Sequence, residues 1–171
     1  MPVTLKLATS LDGRIATAGG ESRWITGEAA REAVHRLRSE HDAVLVGAET
    51  ALADDPELTV RLPGYNGAQP ARVVLDSRQR LPLEGKLAQT ARQIPTYLVA
   101  TTAPDPALVE AGVRILRVRA VSEDRPELRT VVQALAREGF SRLLVEGGGQ
   151  VAASFLRCGL VDAIEWFRAP I

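Results

Sequence analysis

Leu143-Leu-Val-Glu146-Gly-Gly-Gly149-Gln-Val-Ala-Ala-Ser-Phe-Leu156 joins an apolar run, one carboxylate, a glycine triplet and a segment with helical spacing. The apolar run reads as a strand and the last segment as a helix. Glycines at such a junction let the backbone approach a ligand closely, and a helix N-terminus offers unpaired N–H groups to an anion. Glu146, at the carboxyl end of the strand, would face whatever lies beside that anion. Open α/β sheets bind ligands at this end of their strands, although glycine turns also serve packing alone.

Outward from this junction, strand-like and helix-like pieces alternate. Residues 3–8, 42–47, 72–76, 96–100, 113–118, 142–146 and 162–167 read as strands. A helix follows Thr26 as N-cap, with Glu28 in its first turn and Ala29, Ala33, Val34 and Leu37 as its buried stripe. One helical turn is expected over 49–53, and a loop over 62–70. A helix over 126–138 would be capped by Asp124 and stopped at Gly139, and another spans 150–157. The alternation predicts an α/β fold in one domain, residues 1–171, with a mainly parallel central sheet. The apolar stretch from Ile164 to Ile171 would leave a sheet edge with little cover, so the reading expects a partner there or further C-terminal strands.

Composition narrows the function classes. The chain has 171 residues, 46% hydrophobic and 25% charged, with 21 basic and 21 acidic residues in balance. Neither a nucleic-acid surface nor a membrane span is indicated. The single cysteine, Cys158, reads as an inert, half-buried thiol, and the cytoplasm is the expected compartment. His35 and His41 read as surface residues, and no Cys/His cluster has metal-ligand spacing, so no metal is expected.

Four polar groupings remain. Lys6 lies on the strand face shared by Thr4 and Ala8; it would need a partner in a central strand and would reach solvent on an edge. Near Glu146 it would form a pair able to hold substrate and move a proton. Thr50, Asp54, Asp55, Thr59 and Arg61 crowd a segment that suits hydrogen bonds to sugar hydroxyls better than a metal. Ser77 and Arg78 would suit a 2′-phosphate, unless Asp76 turns the same way and repels it. Arg38 and Arg61 could each make forked contacts to a phosphate.

Taken in order, Lys6-Leu-Ala-Thr-Ser-Leu-Asp-Gly-Arg14, Ser22-Arg-Trp-Ile-Thr26, Asp42-Ala-Val-Leu-Val-Gly47, Asp54-Asp-Pro-Glu-Leu-Thr-Val-Arg61, Arg72-Val-Val-Leu-Asp-Ser77, Val145-Glu-Gly-Gly-Gly149 and Gly159-Leu-Val-Asp162 resemble the reductase domain of the bifunctional riboflavin biosynthesis deaminase/reductase family. The resemblance implies a dihydrofolate-reductase-like three-layer sandwich, here lacking its C-terminal strands. It also implies NADPH-dependent reduction of the ribosyl group of 5-amino-6-(5-phosphoribosylamino)uracil to ribityl. On matching positions, Ala8, Trp24, Thr50, Asp54, Ser77, Gly148, Gly149, Gln150, Val151, Ala152, Ala153 and Ser154 would line the cofactor site. Ser22, Arg38, Leu58, Arg61 and Glu146 would contact the substrate. Lys6, Asp54 and Glu146 are the unranked candidates for placing the proton. A homodimer is implied where the C-terminal strands are present. The alternatives are a non-catalytic nucleotide-binding remnant and a related reductase acting on a diamino-pyrimidinone or pterin.

Overall fold

A computed structural model describes residues 1–10, 13, 27–122 and 125–168. Nine strands and six helices follow in chain order among these residues. They are β1 (Val3–Thr9), α1 (Glu28–Ser39), β2 (Ala43–Gly47), α2 (Ala48–Asp54), β3 (Ala71–Leu75), α3 (Lys86–Gln89), β4 (Thr96–Ala100), α4 (Pro106–Ala111), β5 (Arg114–Arg117), β6 (Ala120–Ser122), β7 (Arg125–Pro126), α5 (Leu128–Arg137), β8 (Leu143–Val145), α6 (Gly149–Arg157) and β9 (Ala163–Arg168). Seven strands form one sheet in the order β5-β4-β3-β2-β8-β1-β9. Every pairing within it is parallel, and β6 with β7 makes a separate antiparallel ribbon.

Alternation along the strands separates two cores, as a doubly covered parallel sheet requires. Val3, Leu5, Leu45, Val73, Val99, Leu143 and Val145 pack on one face with Val131 and Leu135 of α5 and Phe155 of α6. Val44, Val46, Val74, Leu98 and Leu144 face the other way, against Ala51 of α2, Leu87 of α3, Leu108 of α4 and Leu37 of α1. The result is three layers, α/β/α. Among these apolar side chains lies the buried guanidinium of Arg72, which meets Thr90, Thr96 and the carbonyls of Leu87 and Ile94. Among the described residues no carboxylate bonds to it, and burial, only partly offset by the charge of Glu57, lowers its pKa to about 10.

Several expectations shift. The first helix is capped at Gly27, without a side-chain bond; Thr26 and the turn residues Leu11, Asp12 and Arg14 lie outside the described residues. The helix expected over 126–138 begins only at Leu128, because Pro126 is paired in the β6–β7 ribbon; Asp124 lies outside the described residues. Asp42 precedes β2, where its carboxylate accepts from the Ser141 and Arg142 amides and stitches β2 to the entry of β8. Cys158 is exposed at the end of α6. Two short helices, α3 and α4, carry too few turns for a periodic stripe and are absent from the sequence reading. β9 is one of the two edge strands, with Ile164 and Trp166 half exposed at 50% and 55%.

Candidate functional site

β2 and β8 are neighbours, yet the helices that follow them leave on opposite faces. Ala51 of α2 packs into one core, and Ala152 and Phe155 of α6 into the other. Strands whose connections diverge in this way open a crevice at their carboxyl ends. A cleft of about 510 Å³ occupies that position. Its walls come from Gly47 to Thr50, Leu75 to Arg78, Arg80, Arg125, Pro126 and Gly148 to Val151.

The glycine triplet builds the crevice by close approach. A Cβ on Gly147 would sit 2.7 Å from Val46 Cα and 3.0 Å from the Gly47 amide nitrogen, so only glycine lets β8 turn beside β2. Gly148 has φ +53 and would place a Cβ 3.4 Å from Thr50 Oγ1. Gly47 faces Val151 in the same manner, its added Cβ meeting Cγ2 at 2.7 Å. Among the described residues, no side chain caps α2 or α6. The first amides of both helices therefore keep their donors for water or a ligand, and the α6 end carries the partial positive charge of the helix.

Before the triplet, Glu146 turns toward the face of α1. Its side chain is only 6% exposed, and Arg38 holds it with a fork: Nε donates to Oε1 at 2.6 Å and Nη2 to Oε2 at 2.9 Å. Burial would push the Glu146 carboxyl up; the Arg38 hydrogen bonds and charge, with help from Lys6 and His35, outweigh it and hold the pKa below its ordinary value. Glu146 is thus ionised at neutral pH. Lys6 lies on β1, an interior strand flanked by β8 and β9, in register one step past Leu5↔Val145. The solvent-exposed edge position open to it in sequence belongs to β9 instead.

The remaining Arg38 donor, Nη1, reaches the Thr59 carbonyl at 2.9 Å. Leu58, just before, has φ +55, a left-handed conformation that a branched side chain rarely adopts. Leu58 is 3% exposed and packs in the core, so it presents almost no surface to a ligand. Arg61 is exposed and pairs with Glu57 at 2.7 Å. His35 and His41 are half-buried, contrary to the surface reading. His41 bridges the Leu37 carbonyl and Thr4 Oγ1, and His35 lies against Thr59 and Arg61.

Of the expected cofactor residues, Thr50, Ser77, Gly148, Gly149, Gln150 and Val151 line the cleft. Along α6 the cleft-lining residues end at Val151. Ala152 faces the core, and Ser154 turns its hydroxyl back onto the Gln150 carbonyl. Neither these two nor Ala153, Ala8 and exposed Asp54 are among the cleft-lining residues. Ser22 and Trp24 lie outside the described residues. Asp76 lines the cleft with its carboxylate buried: Oδ2 accepts from the Leu81 amide, while Oδ1, without a hydrogen-bond partner among the described residues, lies 3.6 Å from Arg80 Nε. Arg125, Pro126, Gly47 and His35 went unnoticed as site residues. A strand ending in Gly47 before a helix, and a histidine three residues before Arg38, were the available signals.

A family model described as RibD C-terminal domain matches residues 2–171. The chain is 40% identical to the riboflavin biosynthesis protein RibD of Actinobacillus pleuropneumoniae, over 98% of this chain and 45% of that protein. It is also 40% identical to a 2,5-diamino-6-ribosylamino-4(3H)-pyrimidinone 5′-phosphate reductase of Methanothermobacter thermautotrophicus, over 99% of this chain and 77% of that protein. The solved structure of Acinetobacter baumannii RibD superposes with a TM-score of 0.87 at 37% identity, over all of this chain and 46% of that one. The chain therefore spans less than half the length of the RibD proteins it matches. With the family model covering nearly every residue and a relative at 40% identity of which the chain covers 77%, this chain belongs to the RibD C-terminal domain family.

Proposed function

We propose that this chain reduces the ribosyl group of 5-amino-6-(5-phosphoribosylamino)uracil to ribityl, with NADPH as reductant. The observation that carries the reading is the junction at Gly147, with an ionised, arginine-held carboxylate before it and an uncapped helix N-terminus over a cleft after it. The cleft is of the size that takes small molecules and cofactors. The amides of Gly148, Gly149 and Gln150 would hold a pyrophosphate, and Ser77, Arg78 and Arg125 would meet a 2′-phosphate at the rim. When bound, the nicotinamide supplies a hydride to the carbon joining the opened ribose to its amine nitrogen.

The protein's own part is orientation, charge and one proton. Glu146, held ionised, orients substrate through hydrogen bonds and does not donate. Lys6, whose charge acts on Glu146 from the neighbouring strand, is the group that protonates the substrate nitrogen. Arg61 and Arg38 balance the 5′-phosphate. Mixing the chain with NADPH and the uracil phosphate should consume NADPH and yield the ribityl product by mass spectrometry. Calorimetric binding of NADPH without any product would instead favour a binding remnant. The Methanothermobacter relative, of which the chain covers 77%, favours one second reading, in which the diamino-pyrimidinone phosphate is the substrate. Initial rates with the two pyrimidine phosphates side by side decide between them.

A further inference from the structure

His35 presents one ring nitrogen to two backbone groups that need opposite things from it. Nδ1 lies 3.0 Å from the Thr59 carbonyl oxygen and 3.2 Å from the Arg61 amide nitrogen. Protonated, Nδ1 donates to the carbonyl; unprotonated, it accepts from the amide. It cannot do both at once. The Thr59 carbonyl is also the acceptor for Arg38 Nη1, and Arg61 is two residues along the same strap. His35 therefore sits where the Glu146-holding arginine meets the loop that carries the second one.

Resting on the reductase reading above, we propose that His35 is a positioning residue for the substrate's phosphate, its Nδ1 proton deciding whether the ring holds the Arg61 amide or releases it. In the neutral form with its proton on Nε2, the Nδ1 lone pair accepts from the Arg61 N–H. In the protonated form the ring turns its hydrogen bond onto Thr59, adds a positive charge beside Arg38 and Arg61, and leaves the Arg61 amide to the anion. The charged groups that face it are Arg38 on its own helix, Arg61 on the strap and Glu146 after β8, with Lys6 beyond Glu146 on β1. Burial first, then the two arginines, lower the pKa of the free ring. A dianion bound between those arginines offsets them, so binding draws in a proton.

The test uses ribose 5-phosphate as probe, titrated calorimetrically against the chain and its H35Q variant at pH 6 and pH 8. Glutamine meets both backbone groups at once, its carbonyl accepting from Arg61 and its amide donating to Thr59, and it carries no charge at either pH. The probe's own ionisation is common to both proteins and cancels in their ratio. The expected result is that wild-type affinity gains on H35Q by about threefold or more from pH 8 to pH 6. Nitrogen NMR of the wild-type ring should show Nδ1 unprotonated at pH 8 and its pKa rising when the probe binds. Probe binding with the same pH profile in both proteins, or a ring pKa unmoved by the probe, overturns the proposal and leaves the reductase reading standing. No probe binding by either protein overturns both.

Discussion

On one side of Gly147, Glu146 meets Arg38 through two hydrogen bonds between side chains that are almost fully buried. On the other side, Gly148 opens a helix whose first residues, Gly148 to Gln150, are exposed and whose first amides carry no side-chain cap among the described residues. The first half of the site is made of side-chain charge fixed in a dry place. The second is made of backbone, shaped by what glycine omits. Charge fixed by partners is sensitive to chemistry and indifferent to small changes in bulk; a backbone cradle behaves the opposite way.

The largest effect should come from breaking the charged half. E146A and K6A should each lower turnover about 100-fold or more if, as proposed, both act on the reacting end of the substrate. E146Q keeps the bulk but leaves the Arg38 charge buried without its partner, which costs about 3 kcal/mol and lowers Tm. A turnover change below about threefold for K6A would remove Lys6 from the proton path.

The backbone half is broken by bulk alone. In G147A the new methyl meets Val46 Cα at 2.7 Å, a contact with backbone that no rotamer relieves. Overpacking of this kind costs about 1–3 kcal/mol, read by chemical denaturation, and should weaken NADPH binding by pushing α6 away from α2. G147A and E146Q acting alike on NADPH affinity would erase the contrast between the two halves.

A smaller effect sharpens it. Arg78 and Arg125 stand at the rim of the cleft, on elements far apart in sequence. R125A should raise the KM for NADPH about tenfold and leave that for NADH unchanged, the loss of one charge-assisted contact to a 2′-phosphate. Equal effects on both cofactors would place Arg125 elsewhere.

The smallest effect is on stability against pH. Glu146 titrates low because Arg38 outweighs its burial, and Asp42 titrates low chiefly through the Ser141 hydrogen bonds. A carboxyl with a depressed folded pKa contributes stability above its unfolded value and loses it as pH falls through the folded one. Tm should hold through neutral and mildly acidic pH and decline below about pH 4, where ordinary carboxyls titrate. D42N should flatten that decline modestly, and E146Q should flatten it more.

Much of this was legible in the linear chain. Alternating apolar patterns announce the parallel sheet, because period two and period 3.6 are set by backbone geometry. The run from Glu146 to Gly149 announces the crevice, because glycine at a strand end has few uses. What failed was short or relational. α3 and α4 have too few turns to show a stripe, and Pro126 was absorbed into a helix because a two-residue ribbon strand leaves no pattern.

The chain by itself determined which groups carry charge, which positions tolerate no side chain, and that strands alternate with helices. Only the folded arrangement decided that Arg38 would meet Glu146, 108 residues away, and so keep it ionised. It also decided that Asp76 would bury its carboxylate in its own turn, and that His35 would stand between Thr59 and Arg61. Those outcomes depend on distances across strands and loops, where partner and burial together set protonation, and neither is written in local sequence.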